Sequence, residues 1–381
     1  MFYEFPRIET IDDVLPHIDG RKEFVVADRG DHIIINYAVA FADTFAPVTS
    51  VGDAIRRECR GLIFRKSDGR IIRRPFHKFF NIGEKEETQP DVIKAVLDDT
   101  SSLEKLDGSM IAPFAVTPGN LRWGTKMGDT DVAKMVLPFL DANPNYVDFA
   151  RGWINLGISP IFEFCSRKQR IVIDYPEDRL VLTAMRIMRS GKYVPYGVMK
   201  EYAADYNVEV VGTLDFDTFA RDVEGVVLRT SEGHMLKMKC ESYVRIHKAK
   251  DKISVEKNAV DAILNNEIDD LLPELSQEDR DRVNRLSEEL HDFLATRSIE
   301  LGRQVDDDVR MFKDRKTYAL EAQRPQWHKA AVFKLWDSTN ALDPYDYLYG
   351  QLVKSLSKEV NYADFKRIWG FNSSFKELNG D

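Results

Sequence analysis

Lys105-Leu106-Asp107-Gly108-Ser109 sets a lysine two residues before an Asp-Gly pair, between a polar lead-in and the apolar run Met110–Val116. Asp-Gly is turn chemistry and both flanks read as strands, so the lysine is expected at the mouth of a β-turn, where its amine could serve as a nucleophile. Any surface hairpin with a lysine before its turn would match, so the pentapeptide alone says little. Residues downstream, each suited to a role around a phosphate, give it chemical meaning.

Ile161-Phe162-Glu163-Phe164-Cys165 centres a carboxylate in an apolar, strand-like run. A carboxylate so placed faces a partly buried environment, where it is rare unless paired, hydrogen-bonded or near a metal. Val223–Arg229 and His234–Cys240 flank Thr230-Ser231-Glu232-Gly233 as a hairpin. With those four residues as the loop, Glu224 stands opposite Lys239 and Lys237 opposite Val226. Glu224, Lys237 and Lys239 then share one face, and Leu236, Met238 and Cys240 point into a core. Such a face is either a surface salt bridge of little worth or two fixed cations beside a carboxylate, suited to a nucleotide phosphate. Arg60 stands at the mouth of another strand, Lys78 lies among the aromatics of Phe76–Asn81, and Lys126 ends Trp123-Gly124-Thr125-Lys126.

Gathered in one pocket, these residues make chemical sense. A lysine near its unperturbed pKa of roughly 10.4 is almost wholly protonated at neutral pH. Neighbouring cations and partial desolvation lower that value and expose the lone pair. Attack by Lys105 on the α-phosphorus of a nucleotide would form a phosphoramidate and release pyrophosphate. Lys237 and Lys239 would neutralise charge on the α-phosphate oxygens, with Mg²⁺ screening the polyphosphate and the carboxylates orienting it or its waters.

The elements that must position these groups follow from composition. The chain has 381 residues, 43% hydrophobic and 31% charged, enough for two domains with real cores. Its longest apolar run, Ile33–Ala42, is short and interrupted by Asn36, which excludes a membrane span there. The N-terminus lacks the basic start and apolar core of a signal peptide. Three cysteines without metal-ligand spacing read as free thiols of a reducing cytoplasm. A net charge of −9 argues against a broad polyanion-binding surface but leaves room for a local one. Arg56-Arg57, Arg65-Lys66, Arg70, Arg73-Arg74 and Lys78 form a basic cluster, either a solvated hairpin face or a phosphate contact. Residues 1–240 hold 17 of the 21 glycines and 12 of the 15 prolines, with short β-type runs between turn clusters and helical patches at Asp131–Asp141 and Gly197–Tyr206. Beyond them apolar residues recur at helical spacing, as in Val283, Leu286, Leu290, Phe293 and Leu294 behind the capping pair Ser276 and Asp279. The expected fold class is α+β: a domain of antiparallel sheets flanked by helices over residues 1–245, then an all-α domain over 246–381.

The ordered set Lys105-x-Asp107-Gly108, Phe162-Glu163-Phe164, Glu224-Gly225 and Lys237-x-Lys239 resembles the covalent nucleotidyltransferase superfamily. Glu58-Cys59-Arg60-Gly61, Lys78-Phe79-Phe80-Asn81, Tyr243-Val244 and Arg315–Gln323 narrow the resemblance to the RNA ligase 1 family, the tRNA-repairing ligases of T-even phages. The resemblance runs from about residue 33 to 323 and implies a three-step ATP-dependent RNA ligase. Lys105 would accept AMP from ATP and pass it to an RNA 5′-phosphate, and a 3′-hydroxyl would then displace AMP and seal the strand. It further implies that Arg60 and Lys78 contact the ATP phosphates, supported by Lys126, with Tyr37 contacting the nucleotide. Glu163 would hold the ribose or the metal shell, Glu224 would act in metal-assisted chemistry, and Tyr243 would matter for ligation. Asp269-Asp270 aligns with an acidic pair linked to a metal, the alternative being an exposed helix end. The implied partners are single-stranded RNA ends, including nicked tRNA, met by a monomer in the cytoplasm, that of the host for a phage-encoded chain. A DNA ligase or capping enzyme would share the pocket but normally continues into a small β-barrel, where this chain reads as helices. An inert RNA-binding relative would be expected to lack some of these residues, yet Lys105, Glu163, Glu224, Lys237 and Lys239 are all present.

Overall fold

In the computed structural model, which describes residues 3–41, 43–93, 100–169, 172–214, 223–336 and 343–377, the β-type runs of the first 240 residues form three four-stranded sheets. The first is antiparallel, with β1 (Phe24–Asp28), β2 (His32–Tyr37), β3 (Arg60–Arg65) and β4 (Ile71–Arg73) side by side. In the second, β5 (Phe80–Asn81) and β6 (Thr100–Lys105) form the two edges around β12 (Met235–Lys239) and β11 (Gly225–Thr230). The third runs β10 (Arg179–Ile187), β9 (Ile158–Cys165), β7 (Ser109–Ala115), β8 (Leu121–Gly124). Helices α1 (Val51–Glu58), α2 (Pro90–Ile93), α3 (Asp131–Met135), α4 (Leu137–Ala142), α5 (Pro144–Asn155) and α6 (Tyr196–Ala204) accompany them. The single helix expected over 131–141 is two, because Pro138 opens α4 and cannot continue the hydrogen bonding of α3.

Alternation along β9 does the positioning. Phe162 and Phe164 are buried with Ile111, Leu180, Leu182, Phe149 and Met199, which leaves Glu163 for the other face of the sheet. The hairpin of β11 and β12 is shifted by one residue from the expected register. Thr230 stays in the ladder, its N–H donating to the His234 carbonyl at 2.9 Å, so only Ser231-Glu232-Gly233 form the loop, with Gly233 at φ +93°. Gly225 therefore faces Lys239, and Val227 faces Lys237. Leu236 and Met238 still join the core with Val226 and Leu228.

Part of the basic cluster is neither a solvated face nor a phosphate contact. Arg73 and Arg74 are fully buried. Glu58, also fully buried, accepts Arg74 Nε at 3.0 Å and Arg186 Nη2 at 2.8 Å. Burial by itself would push its carboxyl up, but Arg186 and Arg74 outweigh it and hold it below the usual range.

The chain divides into two compact units, Met1–Val244 and Arg245–Asp381, the division falling within α7 (Glu241–Lys252). The second unit continues with α8 (Glu256–Leu264), α9 (Ile268–Leu271), α10 (Gln277–Met311), α11 (Arg315–Glu321), α12 (Gln326–Trp336), α13 (Pro344–Ser355) and α14 (Glu359–Trp369), with no strand among its described residues. The Ser276 side chain caps α10 by accepting Asp279 N–H at 3.2 Å, and Val283, Leu286, Leu290, Leu294 and Leu301 make its buried stripe. The fold class is α+β, as the sequence indicated, with an all-helical C-terminal region.

Replacing Glu58 by Gln removes the one carboxylate shared by two buried guanidiniums. Urea unfolding at neutral pH is expected to show a loss of about 3–5 kcal/mol; a loss below about 1 kcal/mol, the worth of an exposed pair, would show that the cluster does not brace the sheets.

Candidate active site

The Lys105 pentapeptide does not close a hairpin. β6 belongs to the second sheet and β7 to the third, so Leu106-Asp107-Gly108 carries the chain from one sheet to the other. Gly108 is required by close approach: a Cβ there would fall 2.3 Å from the Phe164 carbonyl oxygen. The turn after Lys105 is thus in contact with the strand that bears Glu163. Asp107 does more than favour a turn. One buried carboxylate oxygen accepts the N–H groups of Val172 and Ile173, both at 2.7 Å, and the other accepts the Tyr243 hydroxyl at 2.7 Å. Its own N–H donates to the Tyr175 hydroxyl at 3.1 Å. Tyr243 therefore acts within the site as a partner of Asp107, and its hydroxyl is pushed up by burial and by Glu224 and Asp107, so it stays a donor.

On the second sheet Gly225 lies between Lys105 and Lys239, paired with both. Its φ is +150°, and a Cβ would sit 2.0 Å from the Met238 carbonyl oxygen, so no other residue fits. Strict alternation would turn Glu224 to the face of Val226. The glycine backbone instead lets the Glu224 carboxylate reach the lysine face, where it is ion-paired with Lys105 and lies 3.0 Å from Lys239 Nζ. Lys239 also stands over the Tyr243 ring, 5.0 Å from its centroid.

Cationic surroundings are found around Lys237. Burial, then Arg60, Lys78 and Lys105, pull the Lys237 ammonium down to about 7. Glu163 is pushed up to about 7, chiefly by burial, with Glu224 and Asp107 adding to it against Lys105 and Arg60. A second cationic group gathers at Tyr37. Lys78 and Lys126 lie 5.4 and 5.6 Å from its ring centroid. Burial would push the Tyr37 phenol up, but Arg60, Lys78 and Lys126 outweigh it and bring it below its ordinary value.

Arg60, Lys78, Lys126 and Lys237 form no ion pair with a carboxylate among the described residues. Arg60 Nη1 and Asn81 Oδ1 are buried polar atoms without a partner in the protein. Arg60 Nη1, an orphaned donor beside cations that form no ion pair, is what a polyphosphate oxygen would satisfy, whereas Asn81 Oδ1 is an acceptor and needs a donor. Ten of the residues singled out from the sequence, Tyr37, Arg60, Lys78, Lys105, Lys126, Glu163, Glu224, Lys237, Lys239 and Tyr243, thus fall in the first unit and in one charge network. Asp269 lies exposed on α9 in the second unit, and the Asp270 side chain is outside the described residues. No group of three His, Cys, Asp or Glu able to cage a metal occurs among the described residues. Sequence reasoning missed the clamp at Asp107 and the unpartnered Asn81 Oδ1, whose amide nitrogen donates to Glu84 at 2.6 Å; the aromatic surroundings of Asn81 in Lys78-Phe79-Phe80-Asn81 were the available signal for the second.

Comparison with known proteins bears on this geometry. A profile of the RNA ligase family matches residues 58–244. A Thermovibrio ammonificans protein named "Putative RNA ligase" is 30% identical over 343 residues, 83% of this chain and 84% of that protein. RNA ligase 1 of bacteriophage TS2126 is 29% identical over 153 residues, 37% of each chain. Among solved structures, an archaeal ATP-dependent RNA ligase overlaps 63% of this chain and 64% of its own at 15% identity, with a TM-score of 0.43. The family profile spans the turn at Lys105, the strand of Glu163 and the hairpin of Lys237, and the identity to the Thermovibrio ammonificans relative, over 343 residues, extends well beyond them. The chain belongs to the RNA ligase family.

Proposed function

We propose that this ligase joins an RNA 5′-phosphate to an RNA 3′-hydroxyl through a lysyl-AMP and an adenylylated RNA end. The observation that carries the reading is the set of four cations without an ion pair among the described residues, Arg60, Lys78, Lys126 and Lys237, gathered about Tyr37 and Lys237, with Lys237 acting on Lys105 at a conformationally fixed turn. ATP as the nucleotide follows from the family resemblance.

In the first step Lys105 loses its ammonium proton to solvent, and its neutral Nζ bonds to the α-phosphorus, shedding a second proton, as the bond to the bridging oxygen breaks and pyrophosphate leaves. The ion pair with Glu224 must open beforehand, and Glu224 keeps Lys239 as a partner when it does. Lys237 and Lys239 offset charge on the α-phosphate oxygens, while Arg60, Lys78 and Lys126 hold the β and γ groups. A divalent cation would be held between Glu163, Glu224 and phosphate oxygens, supplying further neutralisation of the polyphosphate. In the second step an RNA 5′-phosphate oxygen displaces Lys105 and takes the AMP, and in the third a 3′-hydroxyl attacks that phosphate and AMP leaves.

The helices after residue 245 favour this reading over a DNA ligase or capping enzyme, which would carry a β-barrel there. We assign RNA choice, broken tRNA included, to that helical unit, and to Asp269-Asp270 a metal contact by resemblance alone. No described helix is long and apolar enough to cross a membrane; a monomer in the cytoplasm is the expected state.

Two outcomes are expected. Incubation with α-labelled ATP and Mg²⁺ leaves label covalently on the protein, and Lys105→Ala abolishes it; label that survives the substitution refutes the nucleophile. The second concerns pH. Free Lys237 loses its proton near 7, and contact with phosphate oxygens raises that value, so above 7 binding takes up a proton. ATP affinity should therefore fall as pH rises from about 7.5 to about 9, by at most about tenfold per unit. In titrations without a divalent cation Glu163, which ionises in the same region, acts in the same direction. Lys237→Met should bind more weakly and with a flatter profile in calorimetric titration; an equally steep profile in the variant would contradict the role given to Lys237.

A further inference from the structure

Two arginines end up side by side in the core with different partners. Arg74 is neutralised by Glu58 at 3.0 Å. Arg73, the last residue of β4, is equally buried but forms no ion pair among the described residues. Its guanidinium donates only to backbone carbonyls: Nε to Gly61 at 3.1 Å, Nη1 to Gly124 at 3.1 Å and to Ala112 at 3.4 Å, and Nη2 to Thr125 at 2.9 Å. A buried cation without counter-charge is costly, and an apolar side chain would fill the space at less expense. Burial alone pulls this guanidinium down to about 9.

The carbonyls it gathers belong to segments that carry the phosphate-facing cations. Gly61 follows Arg60, and Thr125 precedes Lys126. Gly124 and Ala112 are paired across β8 and β7. The backbones touch at this hub. A Cβ on Gly61, whose φ is +92°, would fall 2.8 Å from the Lys126 carbonyl oxygen and 3.3 Å from Arg73 Nη2. A Cβ on Gly124 would fall 3.0 Å from Arg73 Nη1. The same turn is tied to the strand of Tyr37 by Asn36 Nδ2, which donates to Met127 Sδ at 2.7 Å. Arg60 and Lys126 carry like charges, and both act on Tyr37. Among the described residues only the shared ring and hydroxyl of Tyr37 draw their side chains together, so the backbone beneath them must carry the rest.

We propose that Arg73 is a positioning residue for nucleotide binding: by bonding the carbonyls of Gly61 and Thr125 it fixes Arg60 and Lys126 at the spacing at which they grip the ATP phosphates. The proposal rests on the phosphate-gripping role given above to those two cations.

The test compares two reactions of the whole protein. Adenylylation of Lys105 is measured over a range of ATP concentrations, and sealing of chemically pre-adenylylated RNA, which needs no triphosphate, is measured alongside. Arg73→Gln, which keeps the shape but fewer donors, should raise the KM for ATP by about tenfold or more, and leave sealing of the pre-adenylylated RNA within about twofold. Arg73→Lys, with three donors, should lie between, and it carries the same readouts if the glutamine variant fails to fold. A parallel loss in both reactions marks a merely structural residue and overturns the proposal. So does an unchanged KM in a folded variant while Arg60→Ala and Lys126→Ala raise it. An unchanged KM in those two alanine variants would instead refute the phosphate-gripping reading itself, and the proposal with it.

Discussion

Positive charge held together without an ion-paired carboxylate among the described residues is the constraint around which the first unit is arranged. Arg60, Lys78, Lys126 and Lys237 repel one another, the more strongly because water is partly excluded. The protein offsets this with ring faces rather than carboxylates: Tyr37 under Lys78 and Lys126, and Phe79 under Lys237 at 4.9 Å. A short step away the rule reverses, and Lys105 and Lys239 share the carboxylate of Glu224. The division is chemically useful. Cations left unpaired are available to a polyphosphate, whereas the nucleophile waits in an ion pair that a nucleotide can break without stranding Glu224.

Holding such groups in place falls to the backbone. Gly108 presses the turn after Lys105 against β9, Gly225 lets β11 bring Glu224 to the lysine face, and Gly61 seats the Arg60 strand on the Lys126 turn. Each is a position where a Cβ would collide with main chain, so the glycines set distances between strands rather than add flexibility. Behind them, the Glu58 cluster with Arg74 and Arg186 supplies rigidity by balanced charge.

Local signals in the sequence were enough for the α+β fold class and for the face taken by Glu163, whose place in an apolar run follows from the two-residue period of a strand. They did not reveal where the flanks of a turn would go. Asp107-Gly108 looks like a hairpin because the tripeptide around it bends the chain; which sheet each flank joins depends on partners about 60 and 120 residues away, Phe164 and Gly225. The one-residue slip in the hairpin has a smaller cause, Thr230 remaining in the ladder through its bond to His234. Charge was the least legible property. Arg73 and Arg74 look alike in sequence as parts of a basic surface, yet both are interior, and burial together with Arg60, Lys78 and Lys105 pulls the Lys237 ammonium down.

The central claim is that this pocket binds phosphate charge. Calorimetric titration of AMP, ADP and ATP into Lys105→Ala protein, in which no covalent step can follow, tests it most directly. The account predicts affinity that climbs with each added phosphate and weakens as salt is raised. Three nucleotides binding alike, with little response to salt, would contradict it.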